Sequence, residues 1–386
     1  MLAMRILEIV DVRWWNACAY YGVELARGLA AAGEAVVVAG SPGSPPIEHA
    51  RALGLPVWTD VRFADPNPFH TFADLGALVR GLRQFDLVDA HRAEGHVLGA
   101  LARALSGSAP VVRTRCDIRP PRRHPLNRWL YRRLTAAVVV PGEFMRARLM
   151  DELGLPDPQV VVIPAGVDLD HFHNNGTGSA AAKGAELRQE LGIGPDEPVI
   201  GMVARLSPVK GHRVMLEALT RLAERGLRPH LIVAGQEEEV RAGDLAGDAR
   251  AAGVADRVHL LGRLADVRPA LAAIDVLVIA SLGSEAISRA LLEGMAMARP
   301  AVATRVGVIP ELVVEGSTGS LVPPGDAAAL AEALATLVAD RGRARAMGGQ
   351  ARARAEAEYG LDRWVGRTRA LYREVAKMHG RQKSDP

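Results

Sequence analysis

IDVLVIASLGSEAISRALLEGMAMARPAVATRVGVIPE, residues 274–311, is the stretch whose reading decides the fold. Its opening, Ile274 to Ala280, is a short and almost continuous apolar run, the pattern of a parallel strand buried on both faces. The run breaks at Gly283 and leads into a helical pattern expected from about Ala286 to Met297. A strand that feeds a helix through a glycine turn presents backbone N–H groups at the helix N-terminus, where an anion can bind. Glu285 and Glu293 flank that turn. Alone, they also fit a bland reading, one acid complementing the helix dipole and the other on a solvated face.

Working outward from this stretch, the same alternation of strand and helix fills the chain. Strands are expected at Arg5–Val10, Ala35–Gly40, Leu87–Ala90, Val111–Thr114, Ala136–Val140 and Val160–Ile163. Helices are expected near Tyr21–Ala32, Phe72–Leu82, Glu94–Leu105 and Gly142–Leu153. A second series of strands follows at Val199–Ala204, His230–Ala234, Val258–Leu261, Asp275–Ala280, Ala301–Thr304 and Ser320–Val322. The fold class is therefore α/β, with two doubly wound Rossmann-like domains whose ligands bind at the carboxyl ends of the strands. The expected boundaries are an N-terminal domain over 1–168, a linker over 169–195 and a C-terminal domain over 196–360. A cleft is expected between the domains. Residues 171–183, HFHNNGTGSAAAK, read as an exposed connector. Helices are also expected near 185–191, 327–338, 341–358 and 361–378, with residues 380–386 disordered.

At 386 residues, 49% hydrophobic and 24% charged, the chain has the composition of a globular protein large enough for two cores. A net charge of +3 argues against nucleic acid as a partner. Cys18 and Cys116 match no metal spacing or CxxC motif, and together with the immediate entry into a strand they point to a reducing, cytoplasmic setting. Arg113 to Arg133 holds eight arginines against the single acid Asp117, a patch that could meet phosphates or an anionic membrane surface. A solvated helix face is the competing explanation.

The second domain's first strand ends in ARLSPVKG, residues 204–211. Arg205 and Lys210 flank its turn, and an arginine fork beside a lysine point charge suits a diphosphate. The turn at Ser284–Ser288 should lie at the same sheet edge. Together with PAGVD at 164–168, SEAISRALLEGMAMARPAVATRVGVIPELV at 284–313 and GSLVPPGD at 319–326, these residues resemble the retaining GT-B glycosyltransferases of family four, glycosyl transferases group 1. The SEAISR version is similar to bacterial members that assemble lipopolysaccharide or related surface glycans.

The resemblance implies a nucleotide-sugar donor, a glycan or glycolipid acceptor, and chemistry that needs no cofactor and no metal. It implies that Glu293 holds the ribose hydroxyls and Glu285 a hydroxyl of the transferred sugar. The backbone amides of Ala286, Ile287 and Ser288 would lie near sugar and phosphates, and Arg205 and Lys210 would hold the departing diphosphate. His91, after the strand Leu87–Ala90, resembles a donor-positioning residue, although a histidine at a strand end is more often a structural hydrogen-bonding group. Asp117 and His124 are lesser, acceptor-side candidates. The family's closing helix packs back on the first domain, which is the expectation for 361–378, and the patch Arg113–Arg133 leaves open a peripheral place on the inner face of the plasma membrane. One departure concerns the acceptor: where the family shows a glycine pair, this chain has Trp14-Trp15-Asn16-Ala17-Cys18-Ala19-Tyr20. These side chains could stack on a sugar or serve as core or interface anchors.

Two other functions fit the same architecture. A nucleotide-sugar epimerase would produce a second sugar without an acceptor, and a catalytically silent scaffold would bind the donor without transfer. A dinucleotide-dependent dehydrogenase does not fit, because no strand runs into GxGxxG. The motifs leave the base, sugar, acceptor and linkage open.

Overall fold

The computed structural model describes residues 3–63, 67–119, 121–173 and 180–384. It contains two compact units, one made of the chain up to Gly166 together with the chain from Leu361 onward, the other of Val167–Gly360.

The first unit holds a seven-stranded sheet in the order β3-β2-β1-β4-β5-β6-β7. Its strands are β1 (Arg5–Ile9), β2 (Ala35–Ala39), β3 (Val57–Trp58), β4 (Leu87–Ala90), β5 (Val111–Thr114), β6 (Ala137–Val140) and β7 (Val160–Val162). The second holds six strands in the order β10-β9-β8-β11-β12-β13: β8 (Val199–Val203), β9 (His230–Ala234), β10 (Val258–Gly262), β11 (Val276–Ile279), β12 (Ala301–Thr304) and β13 (Gly319–Val322). All pairings between these strands are parallel. Each sheet reverses its winding once, between β1 and β4 in the first unit and between β8 and β11 in the second. Such reversals open a crevice at the carboxyl ends of the strands.

Valine, leucine and isoleucine runs bury these strands on both faces, as parallel sheets require. Leu7, Ile9, Phe63, Leu78, Val88 and Val111 belong to the core of the first unit. Met202, Leu219, Val233, Val278, Leu330 and Leu334 belong to that of the second.

Several boundaries differ from the sequence reading. The helix Pro45–Ala52 and the two-residue β3 were not expected, because Pro45 and Pro46 look like loop residues until they fill a helix's first turn. The connector's residues 174–179, Pro120 and the final two residues lie outside the described residues. The helix beyond the connector starts earlier than expected and spans Ala180–Glu190. The last helix does not stop near Met378 but runs from Leu361 to Ser384. It docks within the first unit through Trp364, whose indole N–H donates to the Tyr21 hydroxyl at 2.9 Å. Arg373 reaches Glu34 Oε1 at 2.7 Å, and Arg369 pairs with the same oxygen. Glu34 Oε2 accepts from the Met4 amide at 2.6 Å, so both carboxylate oxygens are engaged.

Candidate functional site

In the second unit, the loops that follow β8 and β11 meet at the point where the sheet reverses. Lys210, in a short turn over Pro208–Lys210, pairs with Glu285 Oε1. The Ser281 hydroxyl donates to the same oxygen at 2.6 Å. Two glycines make this approach possible. Gly211 has φ +72, and a Cβ there would come within 2.0 Å of the Ala280 carbonyl oxygen. Gly307 has φ +57, and its Cβ would fall 1.9 Å from the Glu285 carbonyl oxygen. Any side chain at either position would push the cation loop or the β12 loop off the 280–285 backbone. Val308 N–H then donates to Glu285 O at 2.9 Å, and the Thr304 hydroxyl to Ser281 O at 2.6 Å.

The expected helix over 286–297 is shorter, Arg289–Ala296. The reason lies in the turn: Ser284 (φ 61) and Ser288 (φ 52) are left-handed, a conformation uncommon outside glycine. Such backbone kinks recur at functional sites because surrounding contacts must hold them. Here Ala286, Ile287 and Ser288 are all buried beneath the turn. Ser288 stands at the N-cap, but its side chain makes no capping bond, and its hydroxyl oxygen is buried with no hydrogen-bond partner among the described residues.

Glu293 is 3% exposed, which overturns the solvated-face explanation. Arg289, one turn earlier, holds Oε1 at 2.8 Å, while Oε2 is buried with no hydrogen-bond partner among the described residues. Burial raises the Glu293 carboxyl above its ordinary range, and Arg289 only partly offsets it. Arg205 does not join Lys210 and Glu285 in these contacts. It is exposed and pairs with Glu238, beyond the end of β9. The structure thus brings Lys210 and Glu285 together, while Glu293 and Arg205 each have a separate partner. Ser281, Arg289 and Glu238 were not singled out in the sequence. The four-residue spacings Ser281–Glu285 and Arg289–Glu293 are the signal that could have found two of them.

In the first unit, His91 is 1% exposed, immediately after β4. Its Nε2 lies 2.7 Å from Glu8 Oε2 and 3.7 Å from Asp89 Oδ2. Ligand atoms of Glu8, Asp89 and His91 lie within 4.8 Å of one another, a spacing that would suit a metal ion. The carboxylate oxygens are, however, already taken: Tyr372 approaches both acids, and Thr114 donates to Asp89 through its amide and hydroxyl. The group is a hydrogen-bonded network without spare carboxylate oxygens.

Around it, Cys18 donates to His91 O at 3.3 Å, and the Cys18 and Cys116 thiols are both free. Asn16 caps the helix Ala17–Ala31 by accepting from Ala19 N at 2.9 Å. Trp14 is exposed, and Trp15 packs edge-on against His49 and Tyr20, so neither is a core residue.

The arginine-rich stretch divides. Arg113 and Arg115 are buried: Arg113 donates to Ala90 O at 2.8 Å, and Arg115 to the Tyr131 hydroxyl at 3.0 Å and Asp117 at 2.6 Å. They therefore leave the surface patch. Arg119, Arg122, Arg123, Arg128, Arg132 and Arg133 remain exposed, along with Leu126 and Trp129. Arg123 pairs with Asp151 and Glu152. His124 is exposed and caps the short helix Pro125–Trp129. No described helix is long and apolar enough to cross a membrane.

Residues 197–340 match the family model for glycosyl transferases group 1, and residues 19–171 that for glycosyltransferase family 4. A D-inositol 3-phosphate glycosyltransferase of Actinosynnema mirum is 35% identical over 208 residues, 50% of this chain and 47% of the relative, so the chain spans about half that relative's length. The lipopolysaccharide core biosynthesis mannosyltransferase LpcC of Rhizobium leguminosarum bv. viciae is 30% identical over 66% of this chain and 69% of its own. Among solved structures, Anabaena HepE in complex with UDP superposes with a TM-score of 0.85 over 96% of this chain and 100% of its own, at 22% identity. The two reversing sheets are those of the GT-B fold, and with both halves and the LpcC relative matched, the chain belongs to the family 4, group 1 glycosyltransferases.

Proposed function

We propose that this protein is a retaining glycosyltransferase that moves a sugar from a nucleotide-sugar donor to a glycan or glycolipid acceptor, in lipopolysaccharide or other surface-glycan assembly. One observation carries the reading: a lysine–glutamate pair and a second, buried glutamate with an oxygen to spare stand at the switch point of the second unit's sheet. A buried carboxylate oxygen without a donor costs free energy, and the ribose hydroxyls of a nucleotide would supply that donor.

In this mechanism Glu293 Oε2 accepts from the ribose. Glu285 accepts from a hydroxyl of the transferred sugar, and the amides of Ala286, Ile287 and Ser288 line the sugar and phosphates. Lys210 has three N–H donors, so it can keep Glu285 and also hold a phosphate oxygen. Arg205 supplies a second cation after exchanging Glu238 for phosphate. Their attraction to the diphosphate grows as it departs, which lowers the barrier without a metal or other cofactor. The acceptor hydroxyl attacks on the face the diphosphate leaves: the new glycosidic C–O bond forms as the sugar–phosphate C–O bond breaks, the hydroxyl proton passes to the departing phosphate oxygen, and the anomeric configuration is kept. His91 positions the donor sugar.

UDP in the HepE structure and the core mannosyltransferase activity named for LpcC are properties of those proteins, and both favour this class of donor and acceptor here. The exposed arginines with Leu126 and Trp129 favour a peripheral place on the anionic inner face of the plasma membrane, with the body of the protein in the cytoplasm.

The deciding experiment is a thermal-shift screen with UDP-, GDP- and ADP-sugars, since a ligand at a hundred times its Kd stabilises the fold by about 2.7 kcal/mol. A matching donor raises the melting temperature, and the Glu293→Ala protein loses the shift. No shift with any donor would defeat the reading. Product anomers followed by proton NMR test retention, and undiminished rates in excess EDTA test metal independence. Reversing the charge of Arg122 and Arg123 should weaken binding to phosphatidylglycerol vesicles at low salt; unchanged binding returns the patch to a solvated surface.

A further inference from the structure

Glu8 and Asp89 face each other across the β1–β4 ladder, and both are fully buried. Asp89 Oδ1 accepts from the Thr114 amide at 3.0 Å, and Oδ2 accepts from the Thr114 hydroxyl and, at 2.6 Å, from the Tyr372 hydroxyl. Three donors satisfy both oxygens of the Asp89 carboxylate. Glu8 has fewer: His91 Nε2 at 2.7 Å on Oε2, with the Tyr372 hydroxyl oxygen 3.2 Å from Oε1 but its one proton on the nearer Asp89. Tyr372 comes from the closing helix, within the same unit.

His91 therefore faces two carboxylates on one side of its ring, and its Nδ1 is buried with no hydrogen-bond partner among the described residues. The remaining polar neighbours are Tyr21, with ring centroids 6.0 Å apart, and the Cys18 thiol, both from the helix Ala17–Ala31. From β5, Arg113 is engaged by the Ala90 carbonyl.

We infer that Glu8 and Tyr372 are positioning residues that hold His91 as a fixed imidazolium, with Nε2–H committed to Glu8 and Nδ1–H left as the one uncommitted donor of the cluster. A buried cation needs paired charge, and two carboxylates beside Nε2 supply it. Burial alone would push His91 down, but Asp89 and Glu8 outweigh it and raise it to about 9. Burial raises Glu8 to about 7, still below His91, so the shared proton stays on the ring, and the single Tyr372 proton, given to Asp89 Oδ2 at 2.6 Å, supports the second carboxylate beside it. One hydroxyl on the closing helix thus backs the carboxylates that hold the charge on the ring. The inference rests on the proposed role of His91 in transfer only for its catalytic consequence.

The test is nitrogen-15 NMR of the full-length protein labelled at histidine, with His91 identified as the resonance missing from His91→Gln. One imidazole should remain doubly protonated at pH 8, where an ordinary histidine of pKa about 6.5 is neutral. Tyr372→Phe, which keeps the ring and removes the hydroxyl, should lower that midpoint by about one unit or more. Glu8→Gln should lower it further, and the alkaline limb of kcat/KM should move with the midpoint in both. A neutral His91 at pH 8 in the unaltered protein would overturn the inference. So would an unchanged midpoint in both variants while each still unfolds cooperatively. If no donor supports transfer, the glycosyltransferase reading fails, yet the NMR midpoint still decides the state of His91.

Discussion

At the switch between β1 and β4, the carboxylates of Glu8 and Asp89 are engaged by His91, Tyr372 and Thr114, while His91 Nδ1 and Asp11 Oδ1 are buried without partners among the described residues. At the switch between β8 and β11, Lys210 and Glu285 pair, but Glu293 Oε2 and the Ser288 hydroxyl are buried without partners among the described residues. The architecture is the same in both units, so it does not account for the difference. Protein interiors satisfy their polar groups, and a cluster of exceptions at a sheet's carboxyl edge is where a ligand's own donors and acceptors belong. The first unit ties Glu8 and Asp89 to Tyr372 of its own closing helix, whereas Glu293 Oε2 in the second has no such partner among the described residues.

The largest effect should come from Lys210→Ala. If the cation stabilises the leaving diphosphate, kcat/KM falls about a hundredfold to a thousandfold, or roughly 3 kcal/mol. Donor-free stability should drop much less, with the fold monitored by circular dichroism. Transfer close to the unaltered rate would mean that the pair is only structural, and the contrast between the units would collapse.

Gly28→Ala attacks the opposite side of the comparison. A Cβ at Gly28 would sit 2.4 Å from Val365 Cγ2, between the helix Ala17–Ala31 and the closing helix. Overpacking of this kind costs about 1–3 kcal/mol. Hydrogen exchange should rise in peptides over 361–380 and remain unchanged over 286–297. Loss of protection in both places would show that the closing helix does not serve the first unit alone.

Glu293→Gln sharpens the role of the free oxygen. The change removes a buried charge but keeps an acceptor, so donor-free melting should stay level or rise. Donor affinity should weaken about tenfold, or ~1.4 kcal/mol, through replacement of a charged acceptor by a neutral one. Unchanged affinity by calorimetry would remove Glu293 from the donor site.

How much of this was legible in the sequence varies with the range of the interaction. Strands β4, β5 and β9 fall on the expected residues because short apolar runs between glycine and helix signals are a local pattern. Lys210, Glu285 and Glu293 could be singled out because motif spacing is local too. What could not be read is pairing across the fold. Arg113 and Arg115 look like surface cations, yet the β5 register turns them inward onto Ala90, Tyr131 and Asp117. The start of the helix at Arg289 depends on left-handed serines that no propensity announces. Glu8 did leave a trace, as a lone acid inside the apolar run RILEIV, but its partners come from positions 89, 91 and 372 and only folding assembles them.

The smallest expected effect is in the pH dependence of stability, where the two units should differ in sign. His91 is raised to about 9 by its carboxylate neighbours despite burial, so the fold favours its protonated form. That contribution is fully present below about 6.5 and is lost as pH rises through 9. Burial raises Asp11 to about 6 and Glu8 to about 7, and raised acids likewise remove stability as pH rises. Burial lowers His212, the first residue of the helix His212–Glu224, to about 4, against the pull of the Ser207 and Ala204 backbone. Its contribution is present above about 6.5 and is lost as pH falls through 4. Glu293, raised by burial, works against it, so the acid response of the second unit should be the weaker one. Hydrogen exchange at pH 5, 7 and 9.5, corrected for intrinsic rates, separates the cases. Peptides over 5–31 should lose protection at 9.5, and peptides over 199–224 should lose it, to a smaller degree, at 5. Equal protection of 5–31 at 7 and 9.5 would mean that the buried histidine of the first unit is not held as a cation, and that the two units handle buried charge alike.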